Sequence, residues 1–268
     1  FVGDGCLMEG ISHEACSFAG TQKLHKLVAL YDDNGISIDG AVAGWFGDDT
    51  AMRFRAYGWN VIGPIDGHDV DAVDQAIAEA NAQATAPTLI VCRTAIGRGS
   101  PNREGTARSH GEPLGAEEIA ATRAALGWTA PPFEVPDAVR AGFSAVERGG
   151  AASATWRQRF EAYRAAHPTL ALEFERRMAG DLPRNWRETE MTVLAQFGAA
   201  RDGVASRKAS QMTLAALAPR VPELLGGSAD LTGSNLTDFP GCGTVRGGEA
   251  GGRHIRHGVR EFGMAAAM

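Results

Sequence analysis

Two apolar runs that stop at turns, about thirty residues apart, constrain this chain most. The first is Phe1-Val2, which leads into Gly3-Asp4-Gly5. The second is Leu27-Val28-Ala29-Leu30-Tyr31, which leads into Asp32-Asp33-Asn34-Gly35. Each reads as a buried strand ending in a turn. Between them, His13 to Lys23 carries a helical pattern, so the span reads strand, helix, strand. That order gives neighbouring parallel strands, whose sheet is covered on both faces. The pattern continues with a helix over Thr50 to Tyr57, a strand at Asn60-Val61-Ile62 and a strand over Pro87 to Cys92. Val70, Val73, Ile77 and Ala80 recur at helical spacing between the last two. The fold class is α/β, with parallel sheets flanked by helices.

In such sheets ligands bind where loops leave the carboxyl ends of strands. Asp4 and Asn34 both fall there, side by side if the two strands are neighbours. A carboxylate and an amide oxygen are hard donors that suit Mg²⁺ or Ca²⁺, which keeps other positions for water or phosphate oxygens. Gly3 and Gly5 allow close backbone approach to a diphosphate. The helix near His13 adds the positive end of its dipole.

Further along, residues 96–116 form a polar loop rich in Gly, Ser, Asn and Arg, of a length that is often functional. Residues 117–178 read as helical, with Phe143, Trp156, Phe160, Tyr163 and Phe174 as packing residues. Residues 180–204 show no period. A second α/β unit begins at Ala205, with a helix over Ser210 to Ala218, a short strand at Glu223 to Leu225, and a glycine-rich loop from Gly226 to Gly252.

Composition narrows the class. Twenty-six basic and 32 acidic residues give a net charge of −6, which does not suggest a nucleic-acid or anionic-membrane surface. No apolar run approaches the ~20 residues of a membrane span. Cys6, Cys16, Cys92 and Cys242 are scattered without a CxxC pair, so they read as reduced thiols of a cytoplasmic protein. The chain starts without an initiator Met and stops inside a helix-like run. It is therefore expected to be an internal piece of a longer protein, cut at both ends.

GDGCLMEGIS (Gly3 to Ser12) and YDDNGISIDG (Tyr31 to Gly40) together resemble the transketolase family over nearly every residue. IGRGSPNREGTARSHGEPLG (Ile96 to Gly115), ASRKAS (Ala205 to Ser210), GGSADLTGSNLT (Gly226 to Thr237) and VREFGM (Val259 to Met264) extend the likeness in order and spacing. The resemblance implies a thiamine-diphosphate-binding fold. Residues 1–172 correspond to the latter part of the diphosphate-binding domain, 173–204 to a linker, and 205–268 to the first part of the pyrimidine-binding domain.

The resemblance also implies roles for particular residues. Asp4, Asn34 and the backbone carbonyl of Ile36 would bind Mg²⁺, Ca²⁺ or another divalent cation, and Gly5 and Asn34 would contact thiamine diphosphate. Glu9 resembles an acid that couples two active sites across a dimer interface. His110 would touch both the cofactor diphosphate and the substrate, and a histidine can donate hydrogen bonds to such anions. Arg207 and Ser234 would anchor a sugar phosphate, for which the Arg fork and the Ser hydroxyl are suited. Asp230 is left between cofactor contact and loop structure. Glu261 would share a proton with the aminopyrimidine ring and so promote loss of the thiazolium C2 proton. Such a carboxyl is expected to be poorly solvated.

The implied activity is reversible transfer of a two-carbon ketol unit from xylulose 5-phosphate to ribose 5-phosphate or erythrose 4-phosphate in the pentose phosphate pathway. The implied partner is a second copy, with active sites at the interface of a homodimer. Alone, this piece is expected to be inactive. Two positions depart from the family: Ala107 stands where a second His is common, and Ile255-Arg256-His257-Gly258 replaces Ile-His-aromatic-Gly. His13 and His68 lie in family-like stretches without an assigned role, and His25 and His167 read as surface residues. Dihydroxyacetone synthase, which uses formaldehyde as acceptor, shares these motifs. GISIDG and SRKAS disfavour deoxyxylulose-phosphate synthase. A non-catalytic subunit would be marked by loss of Asp4, Asn34 or Glu261, and all three are present. A linker joined to a second unit on one chain disfavours a split-subunit form.

Overall fold

The computed structural model describes residues 1–199 and 203–268. Two compact units emerge: one from residues 1–129, 228–230 and 243–268, the other from 130–227 and 231–242.

In the first unit, β1 (Val2–Gly3) runs directly into α1 (Asp4–Met8), followed by α2 (Gly10–Thr21) and β2 (Val28–Asp33). A small hairpin, β3 (Ile36–Ser37) and β4 (Gly40–Ala41), precedes α3 (Thr50–Ala56), β5 (Asn60–Asp66), α4 (Val70–Ala82) and β6 (Thr88–Arg93). The main sheet has the order β1-β2-β6-β5 and is parallel throughout. Val2 pairs with Tyr31 and Gly3 with Asp32, so β1 and β2 are the expected neighbours.

β6 lies inside this sheet and is buried from Thr88 to Cys92. Its alternate side chains serve two cores. Leu89 and Val91 pack with Leu7, Ala19, Tyr31, Phe54 and Trp59 on one face. Ile90 and Cys92 pack with Ala76 and Ala80 of α4 on the other. Burying Leu89 and Ile90 contributes roughly 1.5–3 kcal/mol each. Side-chain caps start the covering helices: Asp49 Oδ1 accepts the Met52 amide at 2.8 Å, and Asp69 Oδ1 accepts those of Asp71 and Ala72 at 3.0 and 3.2 Å.

After β6, residues 94–115 are irregular apart from the single turn α5 (Arg108–Gly111), and α6 (Ala116–Ala125) follows. The second unit holds α7 (Asp137–Phe143), α8 (Val146–Ala166), α9 (Pro168–Ala179), α10 (Trp186–Gly198) and α11 (Ser206–Leu217). Next come β7 (Gly226–Ser228), which ends on the first unit's Ser228, and α12 (Thr232–Asn235). β8 (His254–Arg256) and α13 (Glu261–Ala267) return to the first unit.

Several expectations shift. The loop predicted at Gly3-Asp4-Gly5 is the start of a helix, because the backbone turns at Asp4. Residues 186–198, read as aperiodic, form α10, and positions 200–202 of the expected linker lie outside the described residues. The strand expected at 223–225 begins at Gly226 instead. A turn with the Leu224 amide on the Val221 carbonyl (3.0 Å) takes up Pro222 and Glu223.

Trp156, Phe160 and Phe174 do pack, with the Phe160 ring 5.2 Å from Trp156 and 5.3 Å from Phe174. Phe143 does not; it stands in solvent at the end of a helix with no buried residue. α9 opens on Pro168 at its first turn and closes on Gly180 in the left-handed region, the usual Pro-start and Gly-stop signals.

Candidate active site

All four carboxyl ends of the main sheet carry residues of interest. β1 delivers Asp4, β2 delivers Asn34, β5 delivers Gly67-His68, and β6 delivers the loop over 94–115.

Asp4 is the best defined. It is 4% exposed, yet among the described residues no cation lies within ion-pair distance of it. Its Oδ1 accepts the Tyr31 hydroxyl at 2.5 Å and its Oδ2 accepts the Gly35 amide at 3.2 Å. Burial, and then the bond to Asp4, push the Tyr31 hydroxyl far up, which keeps it a donor. Asn34 Oδ1 accepts the Ile36 amide at 3.0 Å, and Asn34 Nδ2 reaches Asp32 Oδ2 at 3.5 Å. These bonds draw Asp4, Asn34 and Ile36 into one cluster. Beside it, burial raises Asp33, partly offset by the Arg93 guanidinium at 3.1 Å.

Among the described residues this buried carboxylate is held by neutral donors, and a cation would supply the counter-charge. One carboxylate, one amide oxygen and one backbone carbonyl form a hard oxygen set with room for water or phosphate oxygens. The donor chemistry therefore fits a divalent cation. The glycines fit a diphosphate: a Cβ at Gly3 or Gly5 would meet no atom within 4 Å. Neither packing nor a positive φ demands glycine at either position.

His110 lies in α5 and is exposed, its amide bonded to the Ala107 carbonyl at 2.9 Å. The loop that carries it is tied down at several points. Glu118 of α6 accepts the Ser100 hydroxyl, the Asn102 amide (2.9 Å) and Asn102 Nδ2 (2.8 Å). Those bonds, the Ser100 hydroxyl first, hold the Glu118 carboxyl down at about 2. The Gly105 amide closes on the Ile96 carbonyl at 2.8 Å.

Glu261 is the first residue of α13 and is exposed, unlike the poorly solvated carboxyl expected. The protein atoms packed around it are simply too few to exclude water. Its turn is fastened to α2. The Gly263 amide donates to Glu14 Oε2 at 2.7 Å, and Arg260 Nη2 donates to Ser17 Oγ at 3.1 Å. His257 is buried and stacks on Phe18 with ring centres 5.1 Å apart. So His257 fills an aromatic role at the departure noted in the sequence. Burial lowers its pKa, followed by the charges of His254 and Arg260.

Among the described residues no hydrogen bond joins His110 or Glu261 to Asp4, Asn34 or Ile36. Arg207, in the first turn of α11, and Ser234, in α12, are both exposed and belong to the other unit. There, Gln211 Nε2 reaches Asp238 Oδ1 at 3.2 Å. Asp230 adopts φ +62°, a left-handed conformation that an Asp tolerates in a turn.

Comparison with known proteins bears on these placements. The family model described as "Transketolase, thiamine diphosphate binding domain" matches residues 1–183. This chain belongs to the transketolase family. A second family model, "Transketolase, pyrimidine binding domain", matches residues 202–268. Transketolase 2 of Vibrio parahaemolyticus is 56% identical over 268 residues, all of this chain and 40% of that protein. The chromosomal transketolase of Cupriavidus necator is 58% identical over 269 residues, again 40% of its length. A Pichia stipitis transketolase in complex with sedoheptulose 7-phosphate superposes with a TM-score of 0.91 at 39% identity, over 99% of this chain and 40% of that one. The Leishmania mexicana transketolase gives 0.89 at 39% identity, over 98% and 39%.

The chain thus spans about 40% of the length of these transketolases. It carries thiamine-diphosphate-binding and pyrimidine-binding segments of the family. Among the described residues no helix is long and apolar enough to cross a membrane. Residues that the sequence reading did not single out are those that hold others in place: Tyr31, Asp32, Glu118 and Arg260. Their side chains reach partners far along the chain, which no local pattern announces.

Proposed function

We propose that the protein containing this segment is a working transketolase, which moves a two-carbon ketol unit from xylulose 5-phosphate to ribose 5-phosphate or erythrose 4-phosphate. The observation that carries this reading is the buried Asp4 carboxylate, with no counter-cation among the described residues, beside Asn34 and Ile36 at adjacent strand ends. Asp4 Oδ, Asn34 Oδ1 and the Ile36 carbonyl would hold Mg²⁺ or Ca²⁺, and Gly5 would lie against the cofactor diphosphate. Thiamine diphosphate, when bound, supplies the carbon centre that cleaves the ketose C–C bond and stores the resulting negative charge.

The chain's own residues do the rest. Glu261 holds a proton at the aminopyrimidine ring. His110 donates a hydrogen bond to the diphosphate and to the sugar oxygen that gains charge. Arg207 and Ser234 grip the sugar phosphate. In this reading two copies form a homodimer, and the diphosphate site of one copy works with Glu261 of the other. The exposure of Glu261 within a single chain supports that arrangement, since a partner surface would remove its water. The segment alone would be inactive, and a cytoplasmic setting suits its four free cysteines. Segments 1–172 and 205–268 act as parts of the two cofactor-binding domains, joined by 173–204.

The test uses the full-length protein with thiamine diphosphate, Mg²⁺ and xylulose 5-phosphate, following glyceraldehyde 3-phosphate release. Faster release with ribose 5-phosphate than with formaldehyde is expected. Faster release with formaldehyde assigns dihydroxyacetone synthase, and no release with either assigns a non-catalytic subunit.

A further inference from the structure

His68 sits just past β5, where the family resemblance assigns it nothing. Its amide donates to Asp66 Oδ1 at 2.9 Å, which sets the turn. Its half-buried ring reaches across to the end of the neighbouring strand, where Nε2 lies 2.8 Å from the Ala95 amide nitrogen. A backbone amide can only donate, so Nε2 is an acceptor and the ring is neutral with its proton on Nδ1. The turn lies hard against β6: a Cβ at Gly67 would come within 2.6 Å of Thr94 Cγ2 and 3.1 Å of the Arg93 carbonyl. From the other side, the Thr94 hydroxyl donates to Asp32, whose second oxygen takes Asn34 Nδ2 at 3.5 Å. Two side chains from flanking strands thus clamp residues 94 and 95.

That clamp lies at the root of the loop that carries His110. Ile96 accepts the Gly105 amide at 2.8 Å, which closes the loop on itself. Gly97, at φ +66°, lies so near Ser109 that a Cβ there would fall 2.5 Å from Ser109 Oγ. Ser109 in turn donates to the Arg103 carbonyl at 2.6 Å and precedes His110. The path from His68 to His110 therefore runs from the Ala95 amide along the chain to Gly97, across to Ser109, and along the chain to His110.

We propose that His68 is a positioning residue: its neutral Nε2, bonded to the Ala95 amide, fixes the loop root and so the placement of His110. The kinetic side of this rests on the transketolase reading above; the structural side does not.

The test compares His68→Ala, His68→Phe and His68→Gln in the full-length protein. Phe keeps a ring without an acceptor, and Gln presents an oxygen where Nε2 was. Amide exchange is read over residues 95–110, and KM and kcat with xylulose 5-phosphate. Ala and Phe should speed exchange of the Ala95 amide and lower kcat/KM roughly 5- to 30-fold, the scale of one lost hydrogen bond, with kcat falling because His110 acts on the oxygen that gains charge. Gln should restore both. Wild-type exchange rates in Ala and Phe, or a Gln variant no better than either, overturns the proposal. If the wild type shows no ketol transfer, the functional reading falls, and the exchange measurement still decides the role of His68.

Discussion

The Tyr31 hydroxyl donates to Asp4 Oδ1 across 2.5 Å, and both residues are about 4% exposed. The bond joins neighbouring strands at the point where β1 becomes a helix. It fixes the rotamer of the carboxylate that the proposed cation needs. Tyr31→Phe should therefore cost about 1–3 kcal/mol of stability in metal-free protein, the range for a buried acceptor losing its donor. Mg²⁺ should recover part of that loss. Urea denaturation with and without Mg²⁺ checks this; an unchanged midpoint in metal-free protein would contradict it.

Acid should loosen the loop over 94–115 before it unfolds the sheet. The Glu118 carboxyl is held at about 2 by the Ser100 hydroxyl and both Asn102 groups, below its ordinary 4.5. A depressed folded pKa means the stabilisation is complete above the unfolded value and is lost as pH falls from about 4.5 towards 2. Glu118→Gln should remove this dependence. Amide exchange of Ser100 and Asn102 between pH 5 and pH 2.5 reports it, and identical profiles for both proteins would refute it.

Arg207→Ala should discriminate between acceptors. Loss of a charge-assisted bond to phosphate should raise KM for phosphorylated acceptors about 10- to 100-fold, with glycolaldehyde little affected. Equal effects on both would remove Arg207 from phosphate recognition.

The sharing of sites between copies has a mixing test. Asp4→Ala and Glu261→Ala proteins should each be inactive. In a mixed dimer, one site would carry both lesions and the other neither. Unfolding and refolding the two together should restore activity. A mixture as inactive as its components would place Asp4 and Glu261 of the same chain in one site.

The first third of the chain was legible because its strands are short apolar runs that end in polar turns, as at Leu30-Tyr31-Asp32 and Ile90-Val91-Cys92. Periodicity also marked α4, whose Ala76 and Ala80 face the sheet. It failed over 186–198, where α10 buries only Thr189 and Val193, too few to leave a stripe. Phe143 misled because an aromatic in a helical run packs only if a neighbouring element arrives. At the site, the residues with chemistry were readable from motifs, and those that hold them were not. Tyr31 on Asp4, Glu118 on Ser100 and His68 on Ala95 are contacts made by the folded sheet and its loops, across 27, 18 and 27 positions.

The most direct test of the central claim is thiamine diphosphate binding to full-length wild type and Asp4→Asn, by calorimetry at saturating Mg²⁺ and in chelator. Asn keeps the shape and one of the two acceptor oxygens that take the Tyr31 hydroxyl and the Gly35 amide, while removing the charge. The account predicts Mg²⁺-dependent binding in the wild type, and a loss of about 100-fold or more in the variant. Equal affinity in both proteins at saturating Mg²⁺ would contradict a cation held by Asp4.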